Sequence, residues 1–236
     1  MLRLAFARAS EDQALARGEA PEGLLSGSET VELATLQFPR RRLKWLLGRV
    51  AAKRVIGETF RAEVAGAPSE AEIVIANEPS GAPFAVMGGV RWLRSLSISH
   101  REDVAIAAAA TGAGVSIGID LEAIAPRDPA LIRQFFTDAE AERVRRAGAD
   151  RDLLVTRIWS AKESILKVLR VGLRMDTRAI EIGEELEGAG STGPAGFLAL
   201  AAHVRGVPIA VGHCLLDGWV VTCAYRGAND PPIDVS

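Results

Sequence analysis

The sequence predicts an α+β fold, and three observations carry that reading. Two long segments, "RRRLKWLLGRVAAKRVIG" (40–57) and "LLVTRIWSAKESILKVLR" (153–170), repeat apolar residues at helical spacing. Shorter runs such as "EIVIA" (72–76), "RSLSISH" (94–100) and "VSIGIDLE" (115–122) have strand character. The two kinds of segment are intermixed without strict strand–helix–strand alternation, which disfavours a doubly wound parallel sheet.

Taken in order, residues 1–15 read as a first strand followed by a loop. The first long helix starts at Arg40 or Arg41; Leu43, Leu46, Leu47, Val50 and Ile56 make its apolar stripe, and Gly57 stands where a terminating glycine belongs. "NEPSGAPF" is a turn-rich loop built on Pro79, Gly81 and Pro83. In "RSLSISH", Leu96 and Ile98 alternate with Ser95, Ser97 and Ser99, a period-two strand with one polar face. "DVAIAAAA", the turn "TGAG" (111–114) and "VSIGIDLE" together predict a hairpin. Beyond Pro126 and Pro129, "LIRQFFTDAEAERVRRA" (131–147) predicts one helix. Near the end, "IAVGHCLL", the turn "DG" and "WVVTCAY" predict a hairpin with a two-residue turn. That turn sets Cys214 opposite Val221 and Cys223 opposite Gly212, so the thiols are not cross-strand partners. The tail "RGANDPPIDVS" reads as a frayed end, and no sequence repeat relates the two halves.

Composition narrows the function. The 236 residues suffice for one large domain or two small ones sharing a core. A net charge of −2 gives no global field toward nucleic acid or an anionic membrane, so anion binding must come from local clusters. No run approaches the ~20 apolar residues of a membrane span. The start lacks the apolar core of a secretion signal, and Cys214 and Cys223 are the only cysteines; a cytoplasmic protein with reduced thiols is the expectation. The P-loop, GxGxxG, HExxH and CxxC patterns are all missing, which removes support for Walker-type hydrolysis, dinucleotide redox chemistry and zinc proteolysis.

Chemistry enters with "SIGIDLEAI" (116–124). On a strand, Val115, Ile117, Ile119 and Leu121 share one face, and Ser116, Gly118, Asp120 and Glu122 share the other. Two carboxylates then stand roughly 6–7 Å apart, two strand rises. Like charges that close repel unless a cation or water offsets them, so the face is either solvated or turned to a hard cation such as Mg²⁺. In "IWSAKESILK", Trp159, Glu163 and Lys167 fall at i, i+4 and i+8 on one helical face. Ser160-x-x-Glu163 also fits a capping box, as does Thr137-x-x-Glu140, so either glutamate has a structural reading too.

In chain order stand "LSISH" (96–100), "GIDLE" (118–122), Phe-Phe-Thr-x-x-Glu (135–140) and "WSAKESILK" (159–167). This set closely resembles the surfactin-type, two-lobed 4′-phosphopantetheinyl transferases, from the Arg41 helix to about Leu173. The resemblance implies two similar α+β lobes related by a pseudo-twofold, residues 1–115 and 116–236, with coenzyme A in the cleft between them. It implies a cytoplasmic monomer with holo-[acyl-carrier-protein] synthase activity: transfer of the phosphopantetheine arm of coenzyme A to a serine of an apo acyl or peptidyl carrier protein, releasing adenosine 3′,5′-bisphosphate. Fatty acid, polyketide or nonribosomal peptide synthesis would be served; neither nucleic acid nor membrane is an expected partner. The alternative is a catalytically silent relative that binds coenzyme A or a carrier protein.

Carried over by position, the resemblance makes Asp120, Glu122 and Glu163 the Mg²⁺ ligands, with Lys167 against the phosphates. Glu163 or Glu140 is the base that deprotonates the carrier serine. His100, with Ser99 as a weaker candidate, would bind coenzyme A phosphates. Arg49 and Lys53, with Arg42 less certain, would hold the 3′-phosphate from a shared helix face. The chain departs from the family at Ala82, where Gly-Lys-Pro is common, at Arg101 after Ser99-His100, and at Arg170-Val171-Gly172-Leu173. Arg101 and Arg170 would restore some positive charge there.

Overall fold

The computed structural model describes residues 2–63, 66–112, 114–186 and 196–235, and divides the chain into two compact units, Met1–Ala113 and Gly114–Ser236. The first contains β1 (Leu2–Arg8), a short α1 (Gln13–Ala16), α2 (Gly27–Thr35), α3 (Pro39–Glu63), β2 (Ile73–Asn77), β3 (Pro83–Met87), β4 (Val90–Arg91), β5 (Leu96–Arg101) and β6 (Val104–Ala110). Its strands form two antiparallel sheets, ordered β1-β6-β5 and β2-β3-β4. Leu46, Leu47, Val50 and Ile56 of α3 are buried in one core with Ala105, Ala107 and Ala109 of β6, whose small side chains let the long helix lie close.

Contrary to the expected stop at Gly57, α3 runs on to Glu63. Thr59 is buried with its hydroxyl donating to the Val55 carbonyl, and Phe60 stacks on Trp92 with ring centroids 6.2 Å apart. A glycine does not end a helix while the residues beyond it still have apolar partners.

The second unit contains β7 (Ser116–Ala123), α4 (Pro129–Phe135), α5 (Asp138–Arg146), α6 (Arg151–Leu169), β8 (Ile180–Glu185), β9 (Leu198–Val204), β10 (Val207–Pro208), β11 (Ala210–Leu216) and β12 (Trp219–Arg226). Its sheet is ordered β10-β9-β11-β12-β7, with β8 beside β9. The expected β6–β7 hairpin does not form: β6 lies between β1 and β5, while β7 pairs with β12. An apolar run, a glycine turn and a second apolar run read alike whether two strands pair or the chain passes from one unit to the next. Part of the "TGAG" turn, residue 113, lies outside the described residues. The helix expected over 131–147 is two, because Phe136 is buried at the break and Thr137 caps α5. The β11–β12 hairpin has the expected register, Cys214 opposite Val221 and Gly212 opposite Cys223, with Asp217 and Gly218 both at positive φ. Both thiols are free. Among the described residues no helix is long and apolar enough to cross a membrane.

The two units repeat one buried device that no repeat in the sequence announced. In the first, Ser26 caps α2 in a capping box with Glu29. The Glu29 carboxylate then accepts the Ile75 N–H of β2 at 3.1 Å and the Lys53 ammonium of α3 at 2.5 Å. In the second, Thr137 caps α5 with Glu140, whose carboxylate accepts the Ile182 N–H of β8 and the Lys162 ammonium of α6, both at 2.8 Å. Each lysine ammonium also lies within hydrogen-bond distance of backbone carbonyls: Leu24 and Glu70 for Lys53, and Phe135, Thr177 and Ile180 for Lys162. All four side chains are at most 1% exposed. One short helix, one long helix and one strand are thereby tied together in each unit.

Removing one partner of such a pair strands the other charge in the interior. Glu140→Ala is expected to cost about 3–5 kcal/mol, and Glu140→Leu combined with Lys162→Met to recover most of that loss. Urea denaturation of the two variants checks both expectations.

Candidate active site

The candidate site in the second unit lies where α6 crosses β7. A Cβ added to Gly118 would sit 2.0 Å from the Ser164 carbonyl oxygen and 2.9 Å from the Lys167 Cβ and the Val168 nitrogen. Only a residue without a side chain permits this approach. Two residues along the same strand face, Asp120 meets α6 directly: its Oδ2 accepts from the Ser160 hydroxyl and its Oδ1 from the Lys167 ammonium, both at 2.8 Å. Lys167 also donates to the Ile119 carbonyl, which locks helix to strand. Glu122 follows on that face, with Arg127 donating to its Oε2 at 2.8 Å and to the Ala123 carbonyl at 3.0 Å.

Asp120 is 5% and Glu122 9% exposed, so the solvated-face reading fails. The capping-box reading of Glu163 fails too, since Ser160 and Glu163 lie in the interior of α6 rather than at its start. Burial holds the Glu163 carboxyl above the usual carboxylate range; the negative charges of Asp120 and Glu122 push it the same way, with Lys167 opposing. Asp120, Glu122, Glu163 and Lys167 therefore form one electrostatic unit. No group of three or more His, Cys, Asp or Glu side chains among the described residues is disposed as a ready metal site. Trp159 serves packing, its ring tilted against Phe135 at 5.1 Å.

Glu140 stands apart from this unit. Both of its oxygens are committed to the capping box, Ile182 and Lys162, which removes it as a candidate base. A catalytic base must have an oxygen within reach of the proton it takes, and this carboxylate is walled in.

The basic face of α3 also has a different partner from the one expected. Arg42, Arg49 and Lys53 do share a face, but that face meets α2. Arg42 donates to the Leu33 and Leu36 carbonyls at the end of α2, and Lys53 is sealed against Glu29. These two are corrected from ligand-binding to structural residues. Arg49 is intermediate. Its guanidinium lies 3.8 Å over the Trp45 ring and 3.5 Å from Glu32, which also accepts the Trp45 indole N–H. Its buried Nε has no partner among the described groups.

Arg49 also lines a cavity of about 640 Å³ in the first unit together with Arg40, Arg41, Lys44, Trp45 and His100, and no carboxylate is among the lining residues. The structure thus brings Arg49 and His100 to one basic cavity. Ser99 does not line it: neighbours on a strand face opposite ways, and Ser99 is buried while His100 is exposed. Sequence reasoning missed Arg40, Arg41 and Lys44 as cavity residues, although the run "RRRLK" displayed them. It read Ser160 only as a helix cap, and it missed Arg127 and Thr222, which no spacing rule marks.

The raised Glu163 pKa has a signed consequence. A carboxyl harder to ionise in the folded chain than in the unfolded one costs stability once the pH exceeds its ordinary value near 4.5. In metal-free buffer, Glu163→Gln is expected to melt above wild type at neutral pH, with the gap closing on acidification below about pH 4. Thermal melts across pH check this; a lower melting temperature for the variant at neutral pH would contradict the assignment.

With the geometry in place, comparisons locate the chain among known proteins. No curated protein matches it. Holo-[acyl-carrier-protein] synthase of Thermotoga maritima matches at 18% identity and a TM-score of 0.35, over 47% of this chain and 61% of that one, less than two thirds of its length. The Bacillus anthracis str. Ames holo-(acyl-carrier-protein) synthase, solved in complex with CoA (3′,5′-ADP), matches at 20% identity and a TM-score of 0.37, over 46% and 91%. The Neisseria meningitidis enzyme matches at 20% identity and a TM-score of 0.35, over 46% and 94%. The family model for the 4′-phosphopantetheinyl transferase superfamily covers residues 116–224, from the strand of Asp120 and Glu122 through the helix of Glu163 and Lys167 to the partner strand β12. That segment of the chain is similar to the 4′-phosphopantetheinyl transferase superfamily.

Proposed function

We propose that this protein transfers the 4′-phosphopantetheine arm of coenzyme A to a serine of an apo acyl or peptidyl carrier protein, as a cytoplasmic monomer dependent on Mg²⁺. The observation that carries the proposal is the α6–β7 seam, where Gly118 admits the helix backbone and Asp120 meets Ser160 and Lys167, with Glu163 in the field of Asp120 and Glu122. Three acids that repel one another across a helix–strand seam are unfavourable on their own, and their oxygens are the donor chemistry a hard divalent cation takes, although they are not drawn together as a metal site here. Asp120, Glu122 and Glu163 would hold it; bound there, Mg²⁺ supplies positive charge to the phosphate oxygens around the transferring phosphorus.

The remaining roles belong to the chain. Glu163 takes the proton of the carrier serine as its hydroxyl oxygen bonds to the β-phosphorus of coenzyme A. The bond from that phosphorus to the bridging oxygen breaks, and adenosine 3′,5′-bisphosphate leaves with the electron pair. Lys167, 29% exposed beside Asp120, offers a point charge to the phosphates. Arg49, His100, Arg40, Arg41 and Lys44 suit a polyanion, and we assign their cavity to the phosphates of coenzyme A. Positioning and charge stabilisation account for most of the rate in phosphoryl transfer, which is what these residues provide.

Lys167 and Arg127 already pair with Asp120 and Glu122, an arrangement that a silent coenzyme A-binding relative would share. Incubation with coenzyme A, Mg²⁺ and an apo carrier separates the two readings. The expected result is a carrier mass gain of one phosphopantetheine. Coenzyme A binding without a gain on any carrier tried would mark the silent relative. Asp120→Ala is expected to fold and to lose turnover by ~100-fold or more; turnover at the wild-type rate would remove Asp120 from the site.

A further inference from the structure

Ser160 stands in the middle of α6 and is wholly buried. A serine inside a helix ordinarily returns its hydroxyl hydrogen to a carbonyl of the preceding turn. Ser164, one turn later, does so, donating to the Ala161 carbonyl at 2.8 Å. Ser160 instead donates across the seam to Asp120 Oδ2, with its hydroxyl oxygen 2.9 Å from Thr222 Oγ1. Thr222 is also wholly buried, and its hydroxyl donates to the Ser160 carbonyl at 2.8 Å. On β12 it is the residue directly opposite Asp120 of β7.

Helix and sheet are thus joined by a triangle of Asp120, Ser160 and Thr222. Its corners come from three elements far apart in the chain, and it bears on one oxygen of one carboxylate. A carboxylate's last torsion is soft. A hydroxyl held in a fixed place against Oδ2 fixes that torsion, and with it the direction of Oδ1 toward Lys167. An alanine in place of Ser160 and a valine in place of Thr222 would have served the apolar interior as well; buried hydroxyls are kept where their partners need orienting.

We propose that Ser160 and Thr222 are positioning residues that orient the Asp120 carboxylate for a divalent cation and so set the affinity of the site. The inference rests on the metal reading above. Partners that orient a ligating side chain typically govern affinity by 10- to 100-fold. Ser160→Ala and Thr222→Val each remove one hydroxyl, and Ser160→Thr restores one.

The test is direct Mn²⁺ titration by electron paramagnetic resonance on folded protein, alongside the Mg²⁺ dependence of carrier modification. Expected are a Mn²⁺ dissociation constant raised about tenfold or more in Ser160→Ala, a smaller rise in Thr222→Val, and near-wild-type binding in Ser160→Thr. The Mg²⁺ needed for half-maximal rate should move with it, while the KM for coenzyme A at saturating Mg²⁺ stays put. Wild type that binds Mn²⁺ and a folded Ser160→Ala that binds it equally well would overturn the positioning role and leave the transferase reading standing. If Ser160→Ala does not fold, Thr222→Val decides by the same comparison. A wild type that binds no Mn²⁺ would overturn the metal reading, and the positioning role with it.

Discussion

The contact between α6 and β7 at Gly118 governs the second unit. Because the helix backbone comes within touching distance of the strand there, a face bearing Gly118, Asp120 and Glu122 is covered rather than bathed in water. Burial changes what those acids are worth. In water, two carboxylates at that spacing would be a mild repulsion; beneath a helix, their field reaches Glu163. The chain meets that cost with Lys167 on Asp120 and Arg127 on Glu122. Lys167 comes from α6 and Arg127 from the segment between β7 and α4, so the acids have their own counter-ions and a divalent ion would compete with them.

A second constraint holds the frame in which this contact can be accurate. The Glu140–Lys162 pair ties α5, α6 and β8 together, and Lys162 is the residue next to Glu163. Neighbours on a helix point about 100° apart. Lys162 therefore anchors α6 to one side while Glu163 looks toward the strand of Asp120. The first unit uses the same pin, with Lys53 in place of Lys162, yet the next residue there is Arg54, which bonds the Phe6 carbonyl and Glu11. The two units share a scaffold and differ in what the following residue does with it.

How far the sequence disclosed this depends on the length scale of each signal. Asp120, Glu122, Glu163 and Lys167 were legible because each pair sits on one element, where a period of two or of 3.6 decides the face. The cation face of α3 was legible for the same reason, but its partner was not: nothing local says that Glu29 and Glu32 of α2 lie across from Lys53 and Arg49. The β6–β7 hairpin failed likewise, since strand pairing is a long-range fact. The capping box succeeded at Thr137 and failed at Ser160, because the four-residue pattern does not carry the information of where a helix begins.

These limits bear on the unequal standing of the two binding regions. The acidic seam is assembled within one unit from residues whose contacts are mutual: Asp120 touches Ser160 and Lys167, and Ser160 touches Thr222. Moving any one disturbs the rest, so the arrangement is over-determined. The basic cavity is the opposite case. Arg40, Arg41 and Lys44 are long, partly solvated side chains on the first turns of α3, and only Arg49 is held, by Trp45 and Glu32. The cavity is therefore one rigid anchor flanked by adaptable cations, whereas the seam is stiff throughout. The contrast between the two regions follows from how each set of side chains is restrained.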